Sequence, residues 1–219
     1  MRIPAIIINF KTYPQSTGEN AVKLAKICER VAKETGREII AAVQAADIYR
    51  VSKAVSIPVF AEHVDEFEQG QNTGFITMES AKSAGASGTL VNHSEHRIQK
   101  EKIKAIVEKA KRLGMTSVVC AKDPKEAKEL DKLNPDFIAV EPPELIGGDI
   151  SVSTAKPEVI EESVGVVRGK RVIVGAGVKT KKDVEVAAKF GSIGILVASG
   201  VVKAKEPEKE LKGLAEGFS

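Results

Sequence analysis

The sequence predicts an α/β protein of the (β/α)8 class, a closed barrel with a parallel eight-stranded core. Three observations carry this expectation. Short β-branched runs recur eight times, each is followed by an amphipathic or compact stretch, and glycines stand where a helix should stop before the next run. The runs are unbroken rather than alternating, as expected of strands buried on both faces. An open doubly wound sheet shares the alternation, but the count of eight favours the barrel.

The first run, 6–8, precedes a stretch in which Ala21, Leu24, Ala25, Cys28, Val31 and Ala32 share one helical face, with Gly36 at its end. Run 38–43 leads into a compact helix near 46–54. Run 58–61 leads to a second near 77–84, closed by Gly85. Run 88–91 precedes a helix on which Ile103, Ile106, Val107 and Ala110 align, with Gly114 as its stop. Runs 116–120, 137–140 and 171–174 follow. Val184, Ala187 and Ala188 mark a helix that ends at Gly191, before run 194–197, and Leu211, Leu214, Ala215 and Phe218 close the chain. A barrel of this kind typically has ~250 residues, and the compact helices account for the shorter length. No Ser/Pro/Gly-rich linker divides the sequence, so one domain is expected over 1–219.

Composition narrows the function. Apolar residues make up 42% and charged residues 29%, which excludes disorder, and no apolar run is long enough to span a membrane. Net charge is only +3, from 33 basic and 30 acidic residues that are interspersed, and aromatics are 4%, so nucleic-acid binding is not expected. The chain starts straight into a strand, with no room for a secretory signal. Cys28 and Cys120 form no metal or disulfide spacing, and the expectation is a reducing cytoplasm.

In a barrel of this class the residues at the strand ends form the active face. Strand one ends in Asn9-Phe10-Lys11, which puts a polar group and a cation two residues apart. Strand four ends in Asn92-His93-Ser94-Glu95-His96-Arg97, and His93 alone of the three histidines stands at a strand terminus. Ser94 fits an N-cap for a short helical turn over 95–97, whose positive end would lower the His93 pKa and keep the ring neutral. Strand six ends in Glu141, held extended by Pro142. Strands seven and eight end in Gly175-Ala176-Gly177 and Ala198-Ser199-Gly200, small residues whose backbone N–H groups can cradle an anion. Each of these side chains, taken singly, also has an ordinary structural reading.

Together, Asn9-x-Lys11, Asn92-His93-Ser94-Glu95-x-Arg97, Ala139-Val140-Glu141-Pro142 with Ile146-Gly147, and the two small-residue loops resemble the triosephosphate isomerase family, in its shortened archaeal form. The resemblance spans nearly the whole chain. It implies interconversion of dihydroxyacetone phosphate and D-glyceraldehyde 3-phosphate, a step of glycolysis and gluconeogenesis, with no metal or organic cofactor. It further implies Glu141 as the base, His93 as the neutral electrophile, Lys11 as the substrate-holding cation with Asn9 beside it, and Glu95 as a supporting acid. Ile146, Gly147, Gly177, Ala198 and Ser199 would bind phosphate. Pro142, Pro143, Glu144, Leu145, Ile146, Gly147 and Gly148 would form a lid. Thr73, in Asn72-Thr73-Gly74-Phe75, matches a protruding loop that reaches a neighbouring subunit, implying a dimer or tetramer.

The sequence departs from the family's usual pattern at Pro143-Glu144, Gly148-Asp149 and Ala198-Ser199-Gly200. Two rival readings share parts of the pattern. Another phosphate-binding barrel enzyme would have the last two loops but no reason to carry His93 and Glu141. An inactive barrel serving as an assembly module would be expected to have lost Lys11, His93 or Glu141, and all three are present.

Overall fold

The computed structural model describes residues 1–142 and 152–218. Eight parallel strands close into a barrel in sequence order: β1 (Ala5–Asn9), β2 (Glu38–Val43), β3 (Val59–Ala61), β4 (Gly88–Val91), β5 (Thr116–Ala121), β6 (Phe137–Val140), β7 (Val172–Val174) and β8 (Gly194–Val197), with β8 paired to β1. All eight runs read from sequence are strands. β1 extends one residue further at each end, which places Asn9 in the sheet itself.

Helices surround the sheet: α1 (Glu19–Thr35), α2 (Ile48–Ala54), α3 (Met78–Ser83), α4 (Lys100–Leu113), α5 (Pro124–Asp131), α6 (Val152–Ala155), α7 (Pro157–Val166), α8 (Lys181–Lys189), α9 (Ser199–Val202) and α10 (Pro207–Glu216). Their starts follow capping chemistry. Asp123 accepts from the Glu126 N–H at the start of α5, and Thr180 with Asp183 forms a reciprocal capping box on α8. α1 and α4 end at Gly36 and Gly114, both left-handed (φ 69° and 66°), where a β-carbon would be strained. Phe218 lies beyond the end of α10 but remains buried, at 9% exposure.

Two hydrophobic layers follow from the alternation of side chains along each strand. Ile6 and Ile8 of β1 point outward with Ile39, Ala41 and Val43 to pack against the helices. Ala5 and Ile7 point inward with Ile40, Phe60, Leu90, Val118 and Ile173, filling the lumen. Both cysteines are free and buried, and burial pushes the Cys28 thiol up to about 12, which leaves it inert. No helix among the described residues is long and apolar enough to cross a membrane.

The lumen is filled to the point that β4 must begin with glycine. A β-carbon on Gly88 would lie 2.6 Å from the Phe60 ring and 2.7 Å from the Thr116 carbonyl oxygen. Gly88→Ala is therefore expected to destabilise the fold by about 1–3 kcal/mol. Chemical denaturation of the two proteins measures this, and equal midpoints would show that the lumen is loosely packed.

Candidate active site

The inward phase of β1, set by Ala5 and Ile7, continues to Asn9; that of β6, set by Phe137 and Ala139, continues to Glu141. Strand parity thus delivers both polar groups to the C-terminal mouth, where Asn9 is 4% and Glu141 5% exposed. On β7 the same phase passes from Ile173 to Gly175. A β-carbon there would stand 2.5 Å from Glu141 Cγ and 2.8 Å from its Oε1, so this glycine provides the space the carboxylate occupies.

Lys11 turns out of β1 with a left-handed backbone (φ 50°), and its N–H donates to Asn9 Oδ1 at 3.1 Å. The turn directs the ammonium across the mouth, where Nζ meets Glu95 Oε1 at 2.6 Å. Glu95 itself is largely exposed at the rim, and Lys11 is the more enclosed partner.

His93 follows a second left-handed residue, Asn92 (φ 62°), and is 8% exposed. The expected helical turn over 95–97 does not form. The segment is a hydrogen-bonded turn in which the His96 N–H donates to the His93 carbonyl, and α4 starts only at Lys100, after Gln99. Ser94 therefore caps no helix, and no helix starts at this turn beside His93. What acts instead is the Glu95 backbone N–H, which donates to His93 Nδ1 at 3.2 Å. That bond requires a lone pair on Nδ1, which assigns the ring proton to Nε2. Nε2 faces Glu141 Oε1 at 3.5 Å. Burial pulls the His93 pKa down, while the Glu141 carboxylate pushes it up, and the balance lies above the ordinary histidine value.

Asn9, Lys11, His93, Glu141, Gly177, Ala198 and Ser199 line one cavity. Tyr13, Val178, Lys179 and Gly200 also line it. Opposite His93 and Glu141, the loop after β7 is left-handed at Ala176 and Gly177 (φ 65° and 70°), and α9 begins at Ser199. Small residues in a tight turn and the first N–H groups of a helix expose backbone donors suited to an anion. Pro142 is buried. Pro143, Glu144, Leu145, Ile146, Gly147 and Gly148 lie outside the described residues. Thr73 is exposed on the loop between β3 and α3 and does not line the cavity.

Three neighbours of this cavity were not anticipated from the sequence. Glu62 directly follows β3, as Glu141 follows β6, and that position was the available signal. Its Oε1 is buried without a hydrogen-bond partner, and burial pushes its pKa up to about 7 against the pull of the Lys11 N–H and His93. Cys120 stands against Glu141, and burial and that carboxylate both raise its pKa. Asn92 is the third. Histidines 63 and 96 lie against each other with ring centroids 4.1 Å apart. No group of three or more histidine, cysteine, aspartate or glutamate side chains among the described residues could hold a metal ion.

A carboxylate beside an imidazole N–H donor and a fixed ammonium, facing backbone donors for an anion, is equipped to remove a proton next to the carbonyl of a small phosphorylated compound. Comparison with known proteins bears on the same site. The triosephosphate isomerase family model matches residues 4–214. Triosephosphate isomerase of Methanobacterium bryantii is 48% identical over 215 residues, covering 96% of this chain and 95% of that protein. That of Methanothermus fervidus is 48% identical, covering 96% and 97%, and that of Saccharolobus solfataricus is 48% identical, covering 95% and 93%. The crystal structure of triosephosphate isomerase from Bartonella henselae superposes with a TM-score of 0.77 over 98% of both chains; at 19% identity it is a likeness of fold.

The electrostatic reading of His93 gives a direct test. In Glu141→Gln the larger raising influence is removed while burial and Lys11 still lower the pKa and Glu95 raises it more weakly, so the His93 pKa should fall from its wild-type position. Proton NMR titration of the imidazole reads this. An unchanged His93 pKa would show that the two side chains do not interact.

Proposed function

The chain belongs to the triosephosphate isomerase family, and from that premise we propose that it interconverts dihydroxyacetone phosphate and D-glyceraldehyde 3-phosphate through an enediolate. The observation that carries the roles is the meeting of Lys11, His93 and Glu141 at one mouth, with His93 Nε2 3.5 Å from Glu141 Oε1, opposite the backbone donors of the last two loops.

The reaction moves one proton between adjacent carbons. Glu141 takes the proton from the carbon beside the carbonyl, and the C–H electron pair passes into the new carbon–carbon double bond while the carbonyl oxygen gains negative charge. His93 Nε2–H donates to that oxygen. The Glu95 N–H bound at Nδ1 leaves the ring proton on Nε2, the nitrogen turned toward Glu141 and the reacting carbons. Lys11 adds a fixed positive charge near the anion, with Asn9 holding the Lys11 backbone and Glu95 pairing with its ammonium. A proton also passes from the substrate hydroxyl to the former carbonyl oxygen, relayed by the His93 Nε2 that faces both, and Glu141 returns its own proton to the neighbouring carbon, giving the isomer. Gly177, Ala198 and Ser199 hold the phosphate, which fixes the carbons against the base. A glutamate is a weak base in water, with an ordinary pKa near 4.3. Its burial between β5 and β7, on a site cleared by Gly175, supports its use as one.

Another phosphate-binding barrel enzyme would have use for the last two loops but none for the facing histidine and glutamate. We also propose that the chain works as one domain and self-associates as at least a dimer through the loop that carries Thr73. Two observations support the association. Among the described residues, Phe75 on that loop and Tyr49 at the start of α2 are the large apolar side chains left exposed, together with Ile3. The loop is held out as a fixed projection: Phe67 and Phe75 stack at 4.4 Å, and the buried Lys109 bonds the Phe67 carbonyl and pairs with Glu79 at 3.1 Å. Free buried cysteines support a reducing, cytoplasmic setting.

Two experiments test these readings. In a coupled assay with D-glyceraldehyde 3-phosphate, Glu141→Gln should lower kcat by about 10²–10⁴-fold while KM changes little. An unchanged kcat would remove the base assignment. Light scattering on a sizing column should give at least twice the 23.4 kDa chain mass, and Thr73→Arg should shift the protein toward that single-chain mass. A wild-type protein running as one chain would remove the interface reading.

A further inference from the structure

Asn92 is 1% exposed and holds the left-handed conformation (φ 62°) that glycine adopts without cost. Asparagine tolerates that region better than most residues, but the side chain here does more than tolerate it. The β4–β5 register ends at Val91 opposite Val119, where β4 turns off the sheet. One step beyond, Asn92 Nδ2 donates to the Cys120 carbonyl of β5 at 3.0 Å. Its Oδ1 accepts from the Ile98 N–H at 3.1 Å, which closes the His93 turn. Its backbone carbonyl accepts from Arg97 at 3.3 Å, and Arg97 pairs with Glu126, whose Oε2 accepts from the Lys122 N–H at 2.7 Å. The turn that carries His93 is thus fastened to β5 and to the loop after it.

The fastening reaches the base. The next carbonyl on β5, that of Ala121, accepts from the Glu141 N–H at 2.8 Å. His93 and Glu141 therefore hang from consecutive carbonyls of one strand, the first through a side-chain amide and the second through the regular ladder.

We propose that Asn92 is a positioning residue that fixes His93 relative to Glu141 by tying the His93 turn to strand β5. The inference rests on the isomerase reading for its kinetic consequence but not for its geometry. Glycine at this position would relieve the backbone and lose both side-chain hydrogen bonds, so the asparagine is explained by the tie and not by the turn. A misplacement on the order of 1 Å between reacting groups can cost about 10²-fold in rate, so the tie has consequences for turnover. The phosphate cradle stands on the loops after β7 and β8 and has no bond to Asn92.

The test compares wild type with Asn92→Gly, which keeps the conformation and removes the amide. kcat for D-glyceraldehyde 3-phosphate should fall about 10- to 100-fold, while competitive inhibition by inorganic phosphate stays unchanged. The His93 pKa, read by NMR, should fall as its contact with Glu141 loosens. Asn92→Asp, which keeps the acceptor for Ile98 and loses the donor to Cys120, serves as the second variant. It should show the same split between kcat and phosphate inhibition should the glycine variant not fold. Wild-type kcat in either variant, an unmoved His93 titration in the glycine variant, or equal losses of turnover and phosphate binding would overturn the proposal. If wild type itself fails to isomerise the triose phosphate, the isomerase reading falls, and the His93 titration in Asn92→Gly still decides the positioning role.

Discussion

The pairing of β8 with β1 is the interaction on which the rest depends. A parallel sheet left open has two edges of unpaired N–H and carbonyl groups, and here closure removes both. It demands close approach: Ala5 sits opposite Gly194, and a β-carbon on Gly194 would lie 2.6 Å from the Ala5 carbonyl oxygen. Closure also fixes which side chains face inward on every strand, because a slip of one residue would send each to the other layer. Ala5, Ile7, Phe60, Leu90 and Ile173 meet in the lumen only in this register.

The same parity makes a functional site out of a packed core. Asn9 and Glu141 continue inward-facing rows whose lower members are apolar, so the polar ends sit on a filled, inflexible floor. Gly175 extends this logic by subtraction, since the inward row of β7 ends in no side chain and the neighbouring row's carboxylate takes the space. Where parity alone would aim a side chain wrongly, the chain leaves the sheet through left-handed residues. Lys11 and Asn92 are both such exits, and each is followed or held by a hydrogen bond from its own turn.

The strands and their termini were legible because β-branched runs and the residues that end them are local signals. Asn9, Lys11, His93, Glu141, Gly177, Ala198 and Ser199 were chosen by position and line one cavity. The turn after His93 was misread. Ser94 and the acid after it resemble a helix start, but the Asn92 amide takes the Ile98 N–H and organises the segment as a loop, a partnership six residues apart that no periodicity reveals. Helix α5 lacked a long apolar face and was passed over, although Asp123-Pro124 marked its start. Glu62 was missed for a different reason. Its importance lies in what surrounds it in space, and its neighbours Lys11, His93 and Glu95 come from other strands.

Glu62 also shows how the site divides its acids. Glu95 is at the rim, held by Lys11 and open to water. Glu62 is enclosed with one oxygen unpartnered, and burial outweighs the favourable charges nearby, so it titrates near 7. A carboxyl whose pKa is raised on folding adds stability that is complete below its unfolded value near 4.5 and is lost as pH rises through about 7. Burial thus works against a further full negative charge beside Lys11 and His93. Glu62 brings an enclosed acid from the end of the third strand next to Lys11, His93 and Glu95.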